Sequence, residues 1–85
     1  MNIRTTRPFD RDYDLLPASI KDKTDRQFVL LLSNPQHPSL GIKKIKGNPD
    51  IWEGRVTKNY RFTFQIINET YRLRRIGTND ILRTP

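Results

Sequence analysis

The stretch Asn59–Asp80, NYRFTFQIINETYRLRRIGTND, decides how the chain folds. Its first half alternates: Tyr60, Phe62, Phe64 and Ile66 fall on one side of an extended strand, and Arg61, Thr63, Gln65 and Ile67 on the other. Asn68-Glu69 then suits the two-residue loop of a hairpin, although Asn-Gly would be the stronger signal. Setting Ile67 opposite Thr70 places Ile66 against Tyr71, Phe64 against Leu73 and Phe62 against Arg75. The other face pairs Gln65 with Arg72, Thr63 with Arg74 and Arg61 with Ile76. One face is suited to a core, and the other carries three arginines.

A slip of one residue would bury those arginines and expose the phenylalanines, so burial specifies the register strongly. A solvated sheet surface is the plain reading of the arginine face. Like charges opposite one another across strands repel, however, and stability alone gives little reason to gather them unless an anion is to be bound.

Working outward, 85 residues make one domain spanning 1–85, with a modest core. The net charge is +7, and it is unevenly spread. Residues 1–42 carry six basic and five acidic side chains; residues 43–85 carry ten and four. The positive field thus belongs to the strand-rich half, which points to a phosphate-rich partner such as RNA or to an acidic protein segment. No basic amphipathic helix suggests a membrane surface. The chain lacks cysteine and has one histidine, which excludes disulfides and the common zinc constellations. With no apolar run of membrane-spanning length and no signal peptide, a cytoplasmic protein is expected, without metal or cofactor.

Upstream, Asn2–Arg7 reads as a short strand limited by Pro8. Asp10 can cap a brief helix through Leu16, and Pro17 opens a second helix that runs to about Ser33. That helix sets Ile20, Thr24, Phe28, Leu31 and Leu32 on one stripe. Phe28–Leu32 is apolar all round, which suggests cover on more than one side, or a groove for a partner helix. Asn34–Ser39 is a loop, in which His37 is either simply solvated or a proton-transfer group.

Leu40–Lys46 reads as a strand crowded by Lys43, Lys44 and Lys46, Gly47–Asp50 as a turn, and Ile51–Thr57 as the next strand. For Trp52 and Val56 to share the face of Phe62 and Phe64, the following connection must hold an odd number of residues. Thr57-Lys58-Asn59 suits a three-residue loop with Asn59 left-handed. The open face then collects Arg55, Arg61, Arg72 and Arg74, with Glu53 as the nearby acid. The expected class is α+β: an N-terminal strand, two helices on the aromatic face, and an antiparallel meander. The tail Asn79–Pro85 is expected to lie loosely on the rim.

The order of these segments resembles the RelE/ParE superfamily of type II toxin–antitoxin toxins. The resemblance is carried by Leu16-Pro17, Asn34–Leu40, Lys43–Gly47, Ile51–Val56, Asn59-Tyr60-Arg61 and Ile76–Asp80. It implies a RelE/ParE-like fold and a toxin neutralised by a cognate antitoxin, with the ribosome and mRNA as further partners. The implied activity is a metal-independent mRNA endonuclease working on the ribosome. A gyrase-directed toxin and a degenerate module that only binds an antitoxin are the alternatives. By the same resemblance Arg61 assists catalysis, and Lys43, Lys44, Lys46 and Arg55 hold ribosomal RNA or the scissile phosphate. DNA readout falls to the antitoxin.

The resemblance departs at Asn79, where the family pattern Gly-Thr-His-Asp has a histidine and this chain reads Gly77-Thr78-Asn79-Asp80. Cutting RNA without a metal can use the 2′-OH as nucleophile, which needs a base, an acid and cations. Cations abound. Proton-transfer candidates are Asp80, Glu53, Tyr60 or a lysine, because Asn79 does not titrate near neutral pH. The expectation is therefore a natural variant or an attenuated enzyme that binds well and cuts slowly.

Overall fold

Strand β5 (Thr70–Thr78) receives neighbours on both sides. In the computed structural model, which describes residues 1–85, β1 (Asn2–Thr5) runs parallel along one edge of β5. Strand β4 (Tyr60–Ile67) runs antiparallel along the other edge, followed outward by β3 (Asn48–Arg55) and β2 (Lys43–Ile45). The five-stranded order is β1-β5-β4-β3-β2. Between β1 and β2 the chain forms α1 (Arg7–Asp14), α2 (Ala18–Ser33) and a 3₁₀ turn at Pro38–Leu40; a second 3₁₀ segment, Asn79–Arg83, follows β5. The α+β class and the antiparallel meander are as expected.

The β4–β5 hairpin turns at Asn68 and Glu69, both at positive φ (48° and 61°), as a twist-matched two-residue loop requires. Pairing then follows expectation from Ile67–Thr70 to Phe64–Leu73. Beyond that the ladder shifts by one residue, so that Phe62 faces Ile76, Thr63 faces Arg75 and Arg61 faces Gly77. A uniform register would have put Phe62 against Arg75. The bulge keeps Ile76 in the core, 2% exposed, and leaves Arg74 and Arg75 both able to reach polar partners.

Phe62, Phe64, Leu73, Ile76 and Tyr71 form the sheet side of the core, and Phe9, Leu16, Leu31 and Leu40 cover them. Phe62 stacks on Phe64 at 5.7 Å and meets Phe28 of α2 edge-on at 5.1 Å. The outer carbons of the Phe62 ring press close to Gly54, where any Cβ would collide with three of them. Each such side chain contributes about 1.5–3 kcal/mol by leaving water.

Several boundaries differ from the sequence reading. Helix α1 starts at Thr6, not Asp10: the Thr6 hydroxyl accepts the Phe9 N–H, and Pro8 sits in the first turn, where its missing donor costs nothing. Strand β2 is shorter than expected, because the turn is Lys46-Gly47, with Gly47 at φ 85°. Strand β3 begins at Asn48, and Pro49 falls where the β2–β3 ladder is irregular and no N–H is needed. The β3–β4 loop keeps the expected parity without a left-handed Asn59; instead the amides of Val56 and Thr57 both donate to the Tyr60 carbonyl.

Nor is the end of α2 covered on every side. Val29 is 67% and Leu32 47% exposed, while Leu31 and Thr24 face the core. No helix is long and apolar enough to cross a membrane.

The tail does not lie loosely. Ile81 packs over Gly77, and the Pro85 carbonyl accepts from Thr63 Oγ1 and Arg74 Nε, each at 3.1 Å. The residues after β5 thus double back over the outer face of the sheet, opposite the helices, and Thr63 beneath them is fully buried.

Candidate functional site

Alternation puts Arg55 of β3 and Arg61 of β4 on that outer face, and the ladder sets them directly opposite each other. Their Cβ atoms are therefore about 4.5–5.5 Å apart, and the like charges repel. No acid forms an ion pair with either; the chain's one salt bridge is Arg75–Asp12. Neighbouring elements hold the pair in place. Gln27 of α2 donates to the Arg55 carbonyl at 2.9 Å and to the Ser39 carbonyl at 3.3 Å, tying β3 to the 3₁₀ turn. Gly41, left-handed at φ 52°, lies alongside the Arg55 side chain. Arg61 is half-buried on the strand, opposite Gly77.

One residue before Arg61, a hollow of about 470 Å³ opens between the start of β4 and the start of the last 3₁₀ segment. Asn59, Tyr60, Thr78, Asn79 and Asp80 line it. Tyr60 pairs with Thr78 across the ladder and packs against the core from the rim, so its ring is half-buried while Asn79 and Asp80 are exposed. The structure thus brings together Tyr60, Asn79 and Asp80, with Arg61 on the adjoining face and not in the wall of the hollow. Asn59 and Thr78 were missed from sequence. They are uncharged, and only the hairpin register puts them there.

The remaining cations do not form one cradle. Arg72 lies opposite Arg4 of β1, and Gln65, its partner on β4, is four residues from Arg61, about 13 Å along the strand. Between them the tail crosses Thr63. Arg74 is tied to it: Nε donates to the Pro85 carbonyl and Nη1 to Gln65 Oε1 at 3.0 Å. The sequence reading of a single arginine surface is corrected to two separate groups, because a tail packed on the sheet lies outside any strand pattern.

The lysines divide as well. Lys43 faces Glu53 on the outer side, whereas Lys44 faces Trp52, with its ammonium 5.2 Å from the ring centroid on the aromatic side. Lys46 is exposed in the turn. His37 acts as a local cap: its Nδ1 accepts the Ser39 N–H at 3.1 Å and lies 2.8 Å from Ser39 Oγ.

Asp12, on α1, reaches across to the sheet. Its carboxylate accepts Arg75 Nε at 2.6 Å and the Ile76 N–H at 3.1 Å, serving the edge of β5 beyond the end of β1. The bond raises the Arg75 pKa above the usual guanidinium value. No local pattern links residues so far apart in the chain.

No protein-family model matches the sequence, and no curated protein matches it. Solved structures do. YafQ from E. coli strain BL21(DE3) superposes with a TM-score of 0.78 at 19% identity, over 95% of this chain and 96% of that one. The YoeB/ParE toxin from Agrobacterium tumefaciens gives 0.79 at 16%, over 93% and 99%. The toxin of the RelB–RelE antitoxin–toxin complex from Methanococcus jannaschii gives 0.75 at 21%, over 93% of each chain. The fold of this chain is that of the RelE/ParE-like toxins.

Proposed function

We propose that the chain is the toxin of a type II toxin–antitoxin pair and cleaves mRNA on the ribosome. The observation that carries this reading is the Arg55–Arg61 pair, two uncompensated guanidinium groups facing each other beside the hollow of Tyr60, Asn79 and Asp80. The solved complexes of similar fold, RelB–RelE and DinJ–YafQ, are toxin–antitoxin complexes, which supports an antitoxin partner here.

In the proposed reaction the 2′-OH attacks the adjacent phosphorus, the bond from phosphorus to the 5′-oxygen breaks, and the products are a 2′,3′-cyclic phosphate and a 5′-OH. Arg61 bridges two phosphate oxygens and stabilises the charge that builds on them, a fork geometry that lysine cannot reproduce. Arg55 adds a second positive charge, and Lys43 extends the cationic face outward. Tyr60 and Asp80 are the groups beside the hollow able to exchange a proton, with Asn79 supplying hydrogen bonds only.

The test is to map 5′ ends of mRNA in a translating extract. Wild type is expected to give codon-phased breaks and little cutting of naked RNA, and Arg61→Ala to lose the breaks while keeping its fold. Intact mRNA with stabilised double-strand DNA breaks would replace this reading with a gyrase-directed toxin. A second reading, a module that binds an antitoxin without cutting, is favoured by Asn79 alone; tight antitoxin binding with no growth arrest would establish it.

A further inference from the structure

The outer face has a second cationic region, on the far side of the tail from Arg61. Two adjoining hollows share Arg72 there. One, of about 340 Å³, is walled by Thr6, Pro8, Arg72, Arg74, Arg75, Thr84 and Pro85. The other, of about 310 Å³, is walled by Arg4, Thr5, Ile67, Asn68, Thr70 and Arg72. Four guanidinium groups line the two, and the one acidic side chain bonded to any of them is Asp12, on Arg75.

Arg4 and Arg72 are exposed and directly opposite each other in the parallel ladder, an arrangement that costs stability with no anion between them. Arg74 is held by the Pro85 main-chain oxygen and by Gln65 Oε1, which orients its fork toward the hollow's wall. Arg72 and Arg74 are two residues apart on one strand, about 7 Å. The walls carry few apolar side chains: the rings of Pro8 and Pro85 in the first hollow and Ile67 in the second. A peptide site needs buried apolar anchors, whereas a track for a phosphodiester chain does not.

We propose that Arg4, Arg72 and Arg74 form a docking track for two successive phosphates of an RNA strand, separate from the hollow at Asn79. This goes beyond the cutting reaction and stands even if the chain cuts nothing.

The test follows the arginine Nε–H signals by NMR at low salt while adding a short RNA oligonucleotide whose 2′-O-methyl groups prevent cleavage. Inorganic phosphate and poly-glutamate are titrated in parallel. The oligonucleotide is expected to shift Arg72 and Arg74 saturably. Arg72→Gln is expected to weaken binding about five- to tenfold and to lower the salt slope by about one contact, and the Arg4→Gln/Arg72→Gln pair to weaken it further. Both positions are exposed, so the fold is kept. Wild-type affinity in Arg72→Gln overturns the proposal. So does phosphate acting as strongly as the oligonucleotide, which would mean a single-ion site, or poly-glutamate acting as strongly, which would mean an acidic protein partner.

Discussion

The hydroxyl of Thr63, in the middle of β4, donates to the carbonyl of Pro85 across 3.1 Å. That bond fastens the tail over the outer face and separates Arg55 and Arg61 from Arg72 and Arg74. Because the same carbonyl also accepts from Arg74, the tail has two anchors at one atom.

Replacing Thr63 by Val keeps the shape and removes one anchor. The expected loss is about 0.5–1.5 kcal/mol. Thermal unfolding measures it, and amide exchange at Ile81–Thr84 should quicken. Unchanged exchange would mean that the tail is held elsewhere.

Asn79→His puts a group that titrates near pH 6.5 into the hollow beside Tyr60 and Asp80. If the wild type is attenuated, mRNA cleavage should rise by about 10²-fold or more, with a new pH dependence around neutrality. Equal cleavage and equal growth inhibition by both forms would end the attenuation idea.

Gly54→Ala drives a methyl group into the Phe62 ring, which is wedged against Phe28 and Phe64. Overpacking of this kind costs about 1–3 kcal/mol. Adding Phe62→Leu to Gly54→Ala should recover part of the loss in a double-mutant cycle; strictly additive losses would show that the ring does not press on Gly54.

Glu69→Gly relieves a side chain at φ 61° in the hairpin turn. Gly is expected to stabilise the fold by about 1 kcal/mol. In a domain of this size that raises Tm by about 4–8 °C. A fall in Tm would mean that the Glu69 side chain makes up for its backbone strain.

The division of the sheet into two faces was legible in the sequence. Alternation from Tyr60 to Ile67 settles which side chains share a face, because the period of a strand is two and a one-residue slip would bury arginine. Asn68-Glu69 and the parity of the β3–β4 loop followed from the same constraint, and with them the Arg55–Arg61 pairing. The hollow was legible only in its members: Tyr60, Asn79 and Asp80 were chosen from sequence, while Arg61 stands beside it instead of within it.

Only tertiary structure decided the bulge after Leu73, because the demand that Ile76 lie beside Phe62 comes from helices packed across the sheet, not from β5 itself. It also decided the position of the tail and the Asp12–Arg75 bond. Local sequence sets periodicity and turn chemistry, since both act over a few residues. Which distant groups then meet depends on how layers close over a shared core, and that division placed two groups of arginines where the strand pattern alone implied one.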